Sequence, residues 1–329
     1  MSSIREVAKR AGVSIGSVSR YLNGQKLKET NMQKIAAAID DLDYKENIIA
    51  KGLKNNRSFS IGLLMNNLSS RLSSDIVKSI EELMETNGYS MILSCFDGNS
   101  QLVGQKLDYL LSHSVDGLIL FEADENWPGM EKLADLTIPI ISLNTPNHLS
   151  NVDSILVDDR GSVYQAIQSI IQSDHKSIGI IAAPQTDYVA CERLGGAYDA
   201  IEGTTSNLLT YKGDYSRLSG YLGAKSLIEQ GVTALFVCNY NMSIGALEYF
   251  NQVQLHVGTD IYFAHYDYSN ELQKMGASRM TIEQPAAMIG RLCGERLLEK
   301  MYENESSHGE LLVLENKICG INDETGRQK

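Results

Sequence analysis

Ser14, Ser17, Ser19, Arg20 and Asn23 set hydroxyl, guanidinium and amide groups along ten residues, with Ile15 and Gly16 among them. An arginine can donate to two acceptors on a guanine edge, hydroxyls and amides suit phosphate oxygens, and an isoleucine suits a thymine methyl. That is the chemistry of reading DNA, not of making bonds. To act together these groups must share one helix face, and the flanking residues supply it. Ile4, Val7, Ala8 and Ala11 recur at the spacing of a short helix's apolar stripe. Gly12 allows a tight turn that a Cβ would strain. Ser14 can cap a second helix whose buried side is Ile15, Val18 and Leu22. A third helix is expected over about 30–42, with Ile35, Ala38, Ile39 and Leu42 inward. This is helix-turn-helix grammar, in which the second helix enters the major groove. The plain alternative is an ordinary capped surface helix. Residues 44–57 then read as a basic linker, and Gly52 lowers its helix propensity, which suits a segment that orders only on DNA.

Charge divides the chain at the same place. Residues 1–57 carry 11 Lys and Arg against 6 Asp and Glu, a net of +5, while residues 58–329 carry 18 against 35, a net of −17. A basic head supplies an electrostatic footprint for phosphate, and an acidic body is repelled by it. At 329 residues and 43% hydrophobic content, two or three domains with real cores are expected. No run approaches 18 consecutive apolar residues and no signal core opens the chain, so a cytoplasmic protein is expected. Cys95, Cys191, Cys238, Cys293 and Cys319 lie far apart and are odd in number, which predicts free thiols and no metal site. The six histidines do not cluster, and no phosphate loop, His-Glu-x-x-His or Gly-x-Ser-x-Gly is present. Neither an enzyme nor a cofactor is expected.

From Phe59 onward short apolar runs alternate with helical patterns. Strands are predicted at 61–65, 91–95, 117–121, 139–143, 177–182, 207–211, 234–238 and 261–265, with helices such as 75–87 and 286–302 between them. This alternation predicts an α/β body of parallel sheets with helices on both faces, and the strand count favours two lobes. Parallel sheets bind ligands beyond the carboxyl ends of their strands. Asn66, Asn67, Glu122, Asp124, Asn144, Asn239, His265 and Asp267 follow or end the predicted strands. Strand-end Asp and Asn also commonly cap the next helix.

The run Val7-Ala8…Ala11-Gly12-Val13-Ser14…Val18-Ser19-Arg20…Leu22-Asn23-Gly24 resembles the lactose-repressor (LacI/GalR) family of bacterial transcription regulators. The resemblance continues in order through Ser60–Leu64, Val115–Ile119, Ile138–Ile141, Val157–Asp159, Arg193–Gly196, Asn239–Leu247 and Thr281–Pro285, which is nearly the whole chain. It implies an all-α helix-turn-helix head on a two-lobed, periplasmic-binding-protein-like core. The implied divisions are a head at 1–45, a hinge helix at 46–58 and a core at 59–329. One lobe would hold 60–157 plus 284–320, the other 158–283, with the chain crossing three times.

The implied function is a homodimeric repressor of carbohydrate-use genes that binds palindromic double-stranded operator DNA. A sugar or sugar derivative between the lobes would control it. Ser14, Ile15, Gly16, Ser17, Arg20 and Asn23 would meet DNA, and Leu53 of the hinge would wedge into the minor groove. Arg193, Asp267, Asn239 and Tyr215 match effector-binding positions, and strand-end Asn144 and Asn66 join them. Departures concern charge. Tyr240 stands where the family has a carboxylate, Asn144 where an aspartate is frequent, and Ser70-Arg71-Leu72 where Asn-Pro-Phe is usual. An anionic effector is one reading of these, and a solvated Arg71 the other. Activation, or co-repression by the effector, would use the same parts, and a sugar receptor feeding a transporter would lack the basic head. The tail 320–329 has no leucine heptads, which favours a dimer over a tetramer.

Overall fold

The computed structural model describes residues 2–22, 24–45, 52, 57–267, 269–302 and 309–320. The chain forms two compact units, residues 1–59 and 60–329.

The first unit holds helices α1 (Ile4–Ala11), α2 (Ile15–Leu22) and α3 (Glu29–Asp41). A capping box starts α1: the Ser3 hydroxyl accepts from the Glu6 N–H, and the Glu6 carboxylate accepts from the Ser3 N–H at 2.7 Å. Gly12, at φ +64°, closes α1 in the left-handed region that a Cβ disfavours. The Ser14 hydroxyl accepts from the Ser17 N–H at 3.1 Å, the cap expected of it. Val7, Ala8, Ala11, Val18, Ile35 and Ala38 form the core, with Ile4, Leu22, Ile39 and Leu42 packed at its edge. Ile15 departs from expectation. It is 46% exposed, because a side chain in the first turn of a helix lies over the preceding turn, past the edge of this small core.

The second unit contains two six-stranded sheets. The first runs β11-β5-β4-β3-β1-β2, from strands β1 (Ser60–Met65), β2 (Ser90–Cys95), β3 (Gly117–Phe121), β4 (Ile140–Leu143), β5 (Val152–Val157) and β11 (Leu311–Leu314), all parallel. The second runs β12-β10-β9-β8-β6-β7, from β6 (Ser177–Ala182), β7 (Asn207–Lys212), β8 (Ala234–Val237), β9 (Tyr262–Asp267), β10 (Met280–Glu283) and β12 (Lys317–Cys319). Here β12 is antiparallel to β10, an exception to the all-parallel expectation.

Helix α4 (Arg71–Thr86) follows β1, and α5 (Val103–Ser112) precedes β3. The second sheet is flanked by α6 (Asp159–Gln172), α7 (Tyr188–Ile201), α8 (Arg217–Glu229) and α9 (Tyr240–Gln252). Helix α10 (Ala286–Tyr302) returns to pack on α4. Fully buried Asp153 of β5 fastens α10 to the first sheet through Arg296 at 2.7 Å and Lys300 at 2.6 Å. Burial opposes its charge, but those hydrogen bonds outweigh it and hold its carboxyl below the usual range.

The chain passes between sheets after β5, after β10 and between β11 and β12. The assignment of 284–320 to the first lobe therefore needs one correction: Lys317–Cys319 completes the second sheet. Its partner edge on β10 is open there, and the two-residue link from β11 is long enough to reach it. Four strands (β5, β10, β11 and β12) lie outside the eight predicted. Polar Asp153 and Ser154 break the apolar run of β5, and the other three are four residues or fewer.

Candidate functional site

Two regions carry the chemistry, one in each unit. In the head, Ser14, Ile15, Gly16 and Arg20 are exposed on α2 and Ser17 is half-buried beside them. The Arg20 Nε donates to the Gly16 carbonyl at 3.3 Å, which lays the guanidinium along the helix. Asn23 and Leu53 lie outside the described residues.

In the body, a cleft of about 400 Å³ opens between the two sheets. Strand order reverses between β1 and β3 in one sheet and between β6 and β8 in the other, and such switch points leave a crevice at the carboxyl ends of the strands. Asn66 and Glu122 follow β1 and β3, Asn144 follows β4, Asn239 follows β8, and Asp267 ends β9. Arg193 projects from α7, and Tyr215 sits in the loop between β7 and α8. All six of the sequence-predicted positions, Asn66, Asn144, Arg193, Tyr215, Asn239 and Asp267, line this one cleft. His265 and Asp124 do not. His265 is fully buried beneath it, bonded to the hydroxyls of Ser278 and Thr281, and Asp124 holds the turn at Asn126.

Four of the six site residues, Asn66, Tyr215, Asn239 and Arg193, already have hydrogen bonds within the fold. The Asn239 side chain caps α9 by accepting from the Met242 N–H at 3.1 Å. Arg193 donates to Asp159 at 2.7 Å and to the Cys238 carbonyl at 2.8 Å, and its guanidinium lies 3.6 Å over the Tyr266 ring. Arg71 is at the cleft mouth, exposed, and 3.7–3.8 Å from Asp75 and Glu271. Asp187, Tyr266 and Gln284 also line the cleft and were not anticipated. One further signal is local: Glu122, Asn144 and Tyr215 all have positive φ, between +58° and +69°. Such strained conformations persist where the surroundings over-determine them, and they gather at functional sites.

Residues 58–315 match the family model described as periplasmic binding proteins and sugar binding domain of LacI family, and residues 3–47 match bacterial regulatory proteins, lacI family. The chain belongs to the LacI family. It is a DNA-binding transcription regulator. Similar curated proteins include the ribose operon repressor of Haemophilus influenzae, 27% identical over 96% of each chain. A transcriptional repressor PurR from another strain of that organism is 30% identical, covering 92% of this chain and 91% of its own. Among solved structures, the lac repressor dimer bound to operator and the anti-inducer ONPF superposes with a TM-score of 0.84 at 24% identity, over 96% of this chain and 97% of that one, a likeness of fold.

Glu122 is a strongly perturbed carboxylic acid in this LacI-family cleft. Burial pushes its carboxyl up to about 7, Asp187 adds repulsion, and an Asn144 hydrogen bond and Arg193 only partly offset them. A carboxyl that binds its proton more tightly in the folded chain contributes stability below its unfolded value of 4.5, and that contribution is lost as pH rises through 7. Glu122→Gln keeps the shape and removes the charge. The variant is expected to melt above the wild type near pH 8, by at most about 3 kcal/mol in stability, and level with it near pH 4. Paired thermal melts at those two values check this, and a variant less stable at pH 8 refutes it.

Proposed function

We propose that this regulator is a repressor that acts in the cytoplasm as a homodimer on palindromic operator DNA, under control of a small sugar or sugar derivative. One observation carries the effector half: the cleft is lined from both lobes, so a ligand seated in it sets the angle between them. Ligand affinity that differs between two lobe angles is, by linkage, an equal change in DNA affinity. The names of the relatives, repressors of ribose use and the PurR repressors, support the sign. Asn66, Asn144, Arg193, Tyr215, Asn239 and Asp267 are the proposed ligand contacts.

On DNA, α2 would read each half-site. Gly16 has no side chain to offer, so readout rests on Arg20 to a guanine edge and on Ile15, whose exposure frees it for a thymine methyl. Ser14, Ser17 and Asn23 would hold phosphates, and Leu53 would kink the centre of the site. Arg20→Ala is expected to weaken binding by about 5- to 150-fold, or 1–3 kcal/mol. The check is a titration of a palindromic duplex selected from a random library by the wild-type chain. Affinity equal to wild type would remove α2 from the interface. The melting transition of the body should be unchanged in that variant.

A further inference from the structure

The cleft is rich in acceptors, and its cations are spoken for. Arg193 is paired with buried Asp159, and exposed Arg71 sits near Asp75 and Glu271. Beside Asp267, the carboxylates that line the cavity are Glu122 from the first lobe and Asp187 from the second. Neither has a lysine or arginine nitrogen at ion-pair distance among the described residues. Asp187 accepts from the Val189 N–H at 3.0 Å and from the Tyr215 hydroxyl, which are neutral donors. The two carboxylates repel each other across the opening between lobes.

Two more groups point the same way. The Asn144 Oδ1 and Gln284 Oε1 carbonyl oxygens are buried in the cleft lining with no hydrogen-bond partner among the described residues. Their residues are 4% and 6% exposed. The amide of Asn144 is turned toward Glu122, which leaves its oxygen as the free end. A buried acceptor without a donor costs about 1–3 kcal/mol, so two in one cleft lining point to a ligand that supplies donors. An anionic ligand would meet these carboxylates and two carbonyl oxygens, while the lining cations Arg193 and Arg71 already have carboxylate partners, so its desolvation would be poorly repaid.

We propose that the cleft recognises a small polyhydroxylated molecule carrying a protonated amine, with the ammonium between Glu122 and Asp187 and hydroxyl groups on the Asn144 and Gln284 carbonyls. An ammonium there converts repulsion between the lobes into two charge-assisted hydrogen bonds, so it also favours closure. This rests on the reading of the cleft as an effector site.

The test uses the full chain near pH 7 and matched probes: glucose and galactose, their 2-amino-2-deoxy forms, the N-acetylated amines and the 6-phosphates, as mono- and disaccharides. Thermal shift and calorimetric titration read affinity. The amine is expected to bind at least about tenfold more tightly than its parent and its N-acetyl derivative. Glu122→Gln and Asp187→Asn should bring that ratio near one, whereas a variant that merely misfolds would lose affinity for the amine and its parent together and leave the ratio where it was. Equal or tighter binding of neutral or phosphorylated probes overturns the amine assignment and leaves a sugar effector standing. No binding by any probe, with operator binding intact, overturns both.

Discussion

Arg193→Ala is expected to lower the stability of the body by about 3–5 kcal/mol, because it strands a buried carboxylate. Arg193 is 7% exposed, and Asp159 beside it is 4% exposed. The guanidinium meets Asp159, the Cys238 carbonyl and the face of Tyr266 at once, joining α7, the end of β8 and β9. Burial already raises the Asp159 carboxyl, and the charge of Arg193 is the strongest force against that rise. Without the cation, Asp159 must stay charged in an apolar setting or take up a proton. A raised carboxyl binds protons better in the folded chain, so the deficit of the variant grows as pH rises.

At about 2–4 °C per kcal/mol for a domain of this size, the melting temperature should fall by roughly 6–20 °C. Asp159→Asn combined with Arg193→Met should recover most of that loss, since a neutral pair of similar volume carries no desolvation cost. An Arg193→Ala protein that melts with the wild type would show that the pair adds nothing to the fold. The same substitution would also weaken a ligand, and the double variant separates the two effects: stability returns, and any loss of ligand affinity remains.

Arg193 shows how far the sequence reaches. That it lies at the cleft was legible from the resemblance, and that it serves the fold was not, because Asp159 is 34 residues away and meets it only when α6 and α7 pack together. Asn66, Asn144, Asn239 and Asp267 were legible for a different reason. They stand at strand ends, and a parallel sheet makes its carboxyl edge a site by topology alone. The same rule overreached at His265, two residues before the end of β9 and so about 6.6 Å deeper in the sheet. Asp187 follows no strand directly and reads as a helix cap, which it is. Its position across the cleft from Glu122 comes from the way the lobes face each other. Gln284 likewise sits where the chain leaves β10 for the other lobe, and β10, four residues with Thr281 and Glu283 among them, did not read as a strand. The broad pattern of the body was legible because eight strands are apolar runs flanked by helical spacing, whereas short edge strands such as β11 and β12 hold few residues from which any period can be read.

Gly245→Val is expected to unfold the second lobe or cost it more than about 3 kcal/mol, beyond the usual range for an overpacked side chain. Helices α8 and α9 cross at glycines. A Cβ on Gly245 would fall on the Arg217 carbonyl oxygen, and one on Gly220 would fall on the Met242 carbonyl oxygen. Both obstacles are backbone, which cannot rotate aside as a side chain can. The helices would have to part, and the contact they would lose includes buried Met242, Ala224 and Ala246 and the edge-to-face rings of Tyr221 and Tyr249 at 5.4 Å. Dense interiors transmit such a shift instead of absorbing it. Asn239 caps α9 at the cleft, so partial separation would displace a site residue as well. Gly245→Ala should already lower the melting temperature, and Gly245→Val should lower it further or abolish the transition. Gly16→Ala is the control, since a Cβ there meets only the Ser14 hydroxyl at 3.8 Å and alanine favours the helix. Equal melting of Gly245→Ala and wild type would mean that α8 and α9 can slide apart at little cost, and that their close crossing does not hold the second lobe together.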